Sequence, residues 1–116
     1  GARLFSPADA GSDYDRAWFQ KMGYGSVVEE DMQNDGLQDI AAAIVKDWRT
    51  FVVILSPDPV GGWRETFREE IPGGRAMIRS EALAGSQSRC LLVAGGQRGF
   101  RMSVCWDGSR FLKITL

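Results

Sequence analysis

The stretch SRCLLVAGGQRGFRMSVCWDGSRFLKITL, Ser88 to Leu116, decides the fold, because two glycine-marked turns divide it into three short runs of strand-forming residues. Gly96 and Gly99 tolerate positive φ and bracket a two-residue turn between the runs Cys90 to Ala94 and Phe100 to Trp106. That turn sets Leu91 opposite Val104, Val93 opposite Met102 and Cys90 opposite Cys105. Asp107-Gly108-Ser109 fits a three-residue hairpin loop, which sets Val104 against Leu112, Met102 against Ile114 and Phe100 against Leu116. One face of this antiparallel meander then carries Leu91, Val93, Phe100, Met102, Val104, Trp106, Leu112, Ile114 and Leu116. The other carries Cys90, Leu92, Ala94, Arg101, Ser103, Cys105, Phe111, Lys113 and Thr115. A slip of one residue mixes lysine into the apolar stripe. A sheet with one strongly apolar face and one mixed face calls for a helical layer on the first.

Counting alternate pairs from Gly96 and Gly99 puts Cys90 and Cys105 at a hydrogen-bonded position. There the α-carbons stand about 5.5 Å apart and the β-carbons wider than the roughly 3.8 Å a disulfide favours. The register thus permits a Cys90–Cys105 disulfide without demanding it, the alternative being two small half-buried thiols. A bond closing about fifteen residues contributes up to roughly 3 kcal/mol and belongs to oxidising compartments. With a start at Gly1-Ala2 rather than methionine, the facing cysteines lean towards an extracytoplasmic location.

Working back towards the N-terminus, Ser12 reads as the cap of a helix from Asp13 to Met22, with Tyr14, Trp18 and Met22 at intervals of four and Phe19 alongside. Val27-Val28 fits a short edge strand or a loop. Asp35 followed by Gln38 reads as the cap of a second helix. Its stripe would be Leu37, Ile40, Ala41, Ile44, Val45 and Trp48, the layer expected to cover the apolar sheet face. Phe51-Val52-Val53-Ile54-Leu55 reads as a central strand buried on both faces. Residues 63–71 fit both periods, and the abundance of Glu and Arg favours a short helix. Residues 75–83 lean to a strand, and Ala84 to Ser88 to a flexible connection. The expected architecture is one α+β domain over 1–116. Its N-terminal helices pack on one face of a mainly antiparallel sheet that ends in the C-terminal three-stranded meander.

With 116 residues, 44% hydrophobic and 25% charged, the composition is that of an ordinary globular domain, and no run is long enough for a membrane span. The net charge of −1 conceals asymmetry, since residues 1–74 hold seven basic against thirteen acidic side chains and residues 75–116 seven against two. Arg75, Arg79, Arg89, Arg98, Arg101, Arg110 and Lys113, beside Phe111, suit either a basic surface for an acidic partner or nucleic acid, or internal neutralisation by the acidic half.

The chain has no histidine, which excludes Ser-His-Asp and Cys-His catalysis. Two cysteines do not fill a zinc site. Asp31, Gln33, Asp35, Gly36 and Asp39 fall at calcium-loop spacings, but Ala42 stands where the bidentate glutamate belongs, so no metal and no cofactor is expected. Trp63, emerging after a Pro/Gly segment with Arg64 and Arg68 nearby, suits a protein interface. The reading reached is a non-enzymatic domain that binds another macromolecule, foremost a protein, through Arg98, Arg101, Arg110, Lys113, Phe111 and Trp63. The alternatives are a nucleic-acid-binding module on the basic sheet face and a small-molecule pocket or histidine-free enzyme.

Overall fold

The computed structural model describes residues 1–82 and 89–116 and builds them into two antiparallel sheets. The first sheet contains β1 (Arg3–Leu4), β2 (Val27–Glu30), β3 (Asp39–Lys46), β4 (Arg49–Pro57) and β5 (Trp63–Glu70). β1 and β2 both pair with β3, and β4 and β5 follow in order. The second sheet runs β6 (Met77–Ala82), β7 (Arg89–Ala94), β8 (Arg101–Trp106) and β9 (Phe111–Thr115) in chain order. Among the described residues an isolated bridge pairs Gly25, just before β2, with Ile78 of β6. The expected flexible connection at Ala84 to Ser88 lies outside the described residues.

Alternation along the strands gives each sheet an inner face. Ala41, Val52 and Ile54 of the first sheet meet Ile78, Leu91, Val93, Met102 and Val104 of the second in one buried cluster, completed by Met32, Ile71, Ala76 and Phe111. Side chains of this size stabilise by about 1.5–3 kcal/mol each when fully buried, so this inter-sheet layer dominates the fold. A smaller cluster, Phe5, Ala10, Phe19, Ala43, Met77 and Ala94, seats helix α1 (Asp13–Lys21) at one end. Ion pairs join the sheets at both margins: Lys113 with Glu69 across β9 and β5, and Arg89 with Glu30 at 3.5 Å on the opposite side.

The β6 strand, the Asp13 helix and the central position of β4 agree with expectation. Ser12 caps α1 by accepting a hydrogen bond from the Asp15 amide at 3.1 Å, although Phe19 rather than Tyr14 or Met22 is the buried residue. Val27-Val28 is a strand.

The helical layer is corrected. Among the described residues α1 is the one α-helix, and the apolar face of the meander is covered by the first sheet. The segment expected as a covering helix is β3, paired with β4 from Ile40↔Leu55 to Lys46↔Arg49. Its residues satisfy both periods. What selects the strand is a two-residue hairpin at Asp47-Trp48, with φ of 52° and 66°, which returns the chain directly along β4. Trp48 is therefore not core but 98% exposed at the hairpin tip. Asp35 caps no helix; its carboxylate accepts from the Leu37 amide at 2.9 Å within the loop.

Residues 63–70 are likewise a strand rather than a helix, with an irregularity that explains the mixed signal. The register skips Thr66, because Ile54 pairs with Phe67 and Leu55 with Glu65. The extra Thr66 hydroxyl bonds to the Ile54 carbonyl at 3.2 Å and to Ser56 Oγ at 2.9 Å, so two consecutive side chains, Thr66 and Phe67, turn inwards.

Within the meander, the β7–β8 register is as expected from Cys90↔Cys105 to Val93↔Met102. The β8–β9 register is displaced by one residue, pairing Val104 with Lys113 and Trp106 with Phe111. Asp107 decides this: its carboxylate accepts from the Ser109 and Arg110 amides, both at 2.8 Å, and its own amide bonds to the Arg110 carbonyl, which makes a longer turn. Phe111 then faces inwards against Trp106 and Phe67, with ring centroids 5.0 and 6.5 Å apart, while Leu112, Ile114 and Leu116 are exposed. The lysine that this slip brings inwards reaches the margin and finds Glu69. Cys90 and Cys105 form a disulfide with α-carbons 4.5 Å apart. That separation marks a non-hydrogen-bonded pair, contrary to the count from Gly96 and Gly99, because the Gly99 amide to Gly96 carbonyl bond at 3.2 Å closes the turn alone and the ladder beside it is set by the Gly95 amide to Phe100 carbonyl bond at 2.8 Å.

Candidate interaction surfaces

The outer face of the first sheet carries no covering layer among the described residues. Its cross-strand rows follow from the register. Leu4, Ile44, Phe51 and Glu70 form one; Val27, Ala42, Val53 and Arg68 the next; Glu29, Ile40, Leu55 and Glu65 the third; Pro57 and Trp63 close the corner. An apolar band thus crosses the middle of the sheet, with charges confined to its margins. Val53, at the centre of the face, is buried at 6% exposure by its neighbours although it belongs to neither core cluster, Ile40, Ala42, Ile44, Phe51 and Leu55 are half-buried, and Trp63 is 52% exposed. Arg49 and Arg68 lie over the Phe51 ring at 5.4 and 5.3 Å. Both are neutralised there, Arg49 by Glu70 and Arg68 by Glu65 at 2.8 Å.

The residues expected to form a basic surface are distributed differently. Arg101 donates to the Gln97 carbonyl at 2.9 Å and to Gly96, and lies 4.5 Å from the Trp18 ring centroid, so it ties the β7–β8 turn to α1. Arg98 is exposed in that same turn. Arg110 sits in the β8–β9 turn, at the far end of β8. Lys113 is engaged with Glu69, and Phe111 is in the core. Arg98 and Arg101 both stand at the β7–β8 turn but line different clefts, and Arg110, Lys113 and Phe111 lie elsewhere. Trp63 lies on the other sheet, where it extends the apolar band.

At the end of β3, Asp39 is wholly buried with Ser56 nearby. It accepts from the Met32 amide at 2.9 Å, and its Oδ1 has no partner. Burial, and secondarily the charge of Asp35, hold its carboxyl above the usual range despite the hydrogen bonds it receives. The rest of the acidic loop is turned upon itself. Asp31 accepts from the Asp35 and Gly36 amides at 3.1 and 2.8 Å, and among the described residues no group of three side chains is placed to hold a metal ion.

Sequence reasoning missed the apolar band except for Trp63. Reading 39–46 as a helix hid the fact that Ile40, Ala42 and Ile44 share a face with Phe51, Val53 and Leu55. The available signal was the unbroken apolar run at 51–55, which calls for two covering layers where the fold provides one. Comparison of the chain with family models, with curated proteins and with solved structures finds no match.

Proposed function

We propose that this chain is a non-enzymatic binding domain whose protein partner docks on the outer face of the first sheet. One observation carries the reading: Ile44, Phe51, Val53, Leu55 and Trp63 share the outer face of the first sheet, which no described element covers, although Val53 is itself only 6% exposed and Arg49 and Arg68 lie over the Phe51 ring. A face of this kind, with an aromatic residue at its corner and arginine at its margin, has the anatomy of an interface centre surrounded by a polar rim. The Cys90–Cys105 disulfide suits an oxidising location, so we place the encounter outside the cytoplasm. The nucleic-acid reading is the weaker one, since Arg101 and Lys113 are engaged internally and Arg110 stands apart from Arg98.

The test is capture from the native source with the immobilised domain, comparing wild type with Phe51→Glu and with Arg110→Glu. The reading expects bound partner to be lost with Phe51→Glu and retained with Arg110→Glu while both variants remain folded. Retention with Phe51→Glu and loss with Arg110→Glu would transfer the function to the second sheet.

A further inference from the structure

At the end of the sandwich that holds α1, an open cleft of about 580 Å3 is lined by Tyr14, Asp15, Arg75, Gly95, Arg98 and Gly99. Its volume is that of a site for a small organic ligand. Most arginines of this chain have an assigned partner. Arg3 pairs with Asp9, Arg16 with Asp13, Arg49 with Glu70, Arg68 with Glu65 and Arg89 with Glu30, while Arg79 and Arg101 donate to backbone carbonyls. Among the described residues, four arginine side chains make neither an ion pair nor a hydrogen bond: Arg64, Arg75, Arg98 and Arg110. Two of those four line this one cleft.

The backbone prepares the place. Gly11, at φ 86°, sits against the Arg75 guanidinium so closely that a β-carbon there would collide with it. Arg75 is thus positioned by a glycine corner rather than by an acid. Gly95 and Gly99 contribute only backbone to the lining, and close packing of the turn requires glycine at both. A β-carbon on Gly95 would stand 3.2 Å from the Phe100 amide nitrogen, and one on Gly99 2.8 Å from the Gly95 carbonyl carbon. The single acid at the cleft, Asp15, already accepts from the Gln97 amide at 3.2 Å. Tyr14, whose hydroxyl donates to Gln97 Oε1, is 63% exposed at the rim.

We propose that this cleft binds a phosphate-type oxyanion between Arg75 and Arg98. Two planar guanidinium forks match a dianion with bidentate acceptor edges. The space beyond the arginines and the exposed Tyr14 accommodate the organic part of a phosphate monoester. This site is independent of the sheet face proposed for the protein partner.

The experiment is amide NMR titration of the intact domain with inorganic phosphate, phenyl phosphate and acetate at constant ionic strength. Wild type is compared with Arg75→Gln, Arg98→Gln, Arg64→Gln and Arg110→Gln. Saturable shifts are expected at the Gly95 and Gly99 amides with both phosphates and not with acetate, weakened about tenfold by Arg75→Gln or Arg98→Gln and unaffected by the other two. Tighter binding of phenyl phosphate assigns the site to an ester; equal binding assigns it to free phosphate. Absence of saturable shifts, equal response to acetate, or equal weakening by Arg64→Gln and Arg110→Gln would overturn the proposal. The amide spectrum of each variant reports its folding in the same measurement.

Discussion

Ile54 and Leu55 are neighbours in β4 whose side chains point to opposite faces, and they should respond very differently to truncation. Ile54 is fully buried in the inter-sheet cluster, whereas Leu55 lies half-buried on the outer face beside Ile40 and Glu65. Replacing a core isoleucine by alanine costs about 2–5 kcal/mol, the transfer loss plus the cavity it leaves. Leu55→Ala removes side-chain surface that is already partly hydrated and leaves no enclosed cavity, so about 1 kcal/mol is expected. For a domain of this size, 1 kcal/mol displaces the melting temperature by about 4 °C, which makes the contrast about 8–20 °C for Ile54→Ala against about 4 °C for Leu55→Ala. Thermal melts followed by circular dichroism, supported by urea titrations with unchanged m-values, measure both. Equal losses at the two positions would show β4 covered on both sides and would remove the uncovered face.

Further predictions concern register, covalent linkage and pH. Phe111→Ala should cost about 3–5 kcal/mol and Leu112→Ala under about 1 kcal/mol in urea unfolding; the reverse order would restore the other β8–β9 register. Thiol titration of the native protein should find no free cysteine, and the Cys90→Ser/Cys105→Ser double variant should lose up to about 3 kcal/mol, less than the full chain-entropy value because the hairpin already holds those ends together. Asp39 has its folded carboxyl pKa raised above the unfolded value, so the folded state holds the proton more tightly. Its contribution is therefore present at low pH and lost as pH rises through the folded pKa. Asp39→Asn should gain stability relative to wild type as pH climbs from about 4, and the difference should then level off. A pH-independent difference in urea midpoints would contradict the burial of that carboxylate.

How much of this was legible in the sequence depended on whether the deciding signal was local. Gly96 to Gly99, flanked by alternating apolar residues, was sufficient for the β7–β8 register because turn and pattern agree. Ser12 before Asp15 was sufficient for the α1 start for the same reason. The β8–β9 turn misled because the apolar tally favours Leu112 and Ile114 inwards, and the Asp107 carboxylate overrides it by selecting a longer turn. That Lys113 finds Glu69 depends on the edge of the other sheet, which lies 44 residues away along the chain. Residues 39–46 satisfy a helical period, and only the pairing with β4 through a hairpin holding Trp48 at positive φ makes them a strand. Residues 63–70 alternate on both sides of a bulge at Thr66, and the bulge disrupts the count. Of the candidate site residues, Arg98 lines the cleft proposed for an oxyanion and Trp63 stands at the corner of the sheet face proposed for a partner. Phe111 was misassigned to the outer face as a direct result of the register error.

The uncovered outer face is measured most directly by adding a soluble gadolinium chelate to the methyl-labelled free domain and recording paramagnetic broadening. Ile40, Ile44 and Leu55 methyl signals should broaden strongly while those of Val52, Ile54, Leu91 and Val104 remain sharp. Sharp signals from both sets would mean that another layer covers the face and would contradict the account.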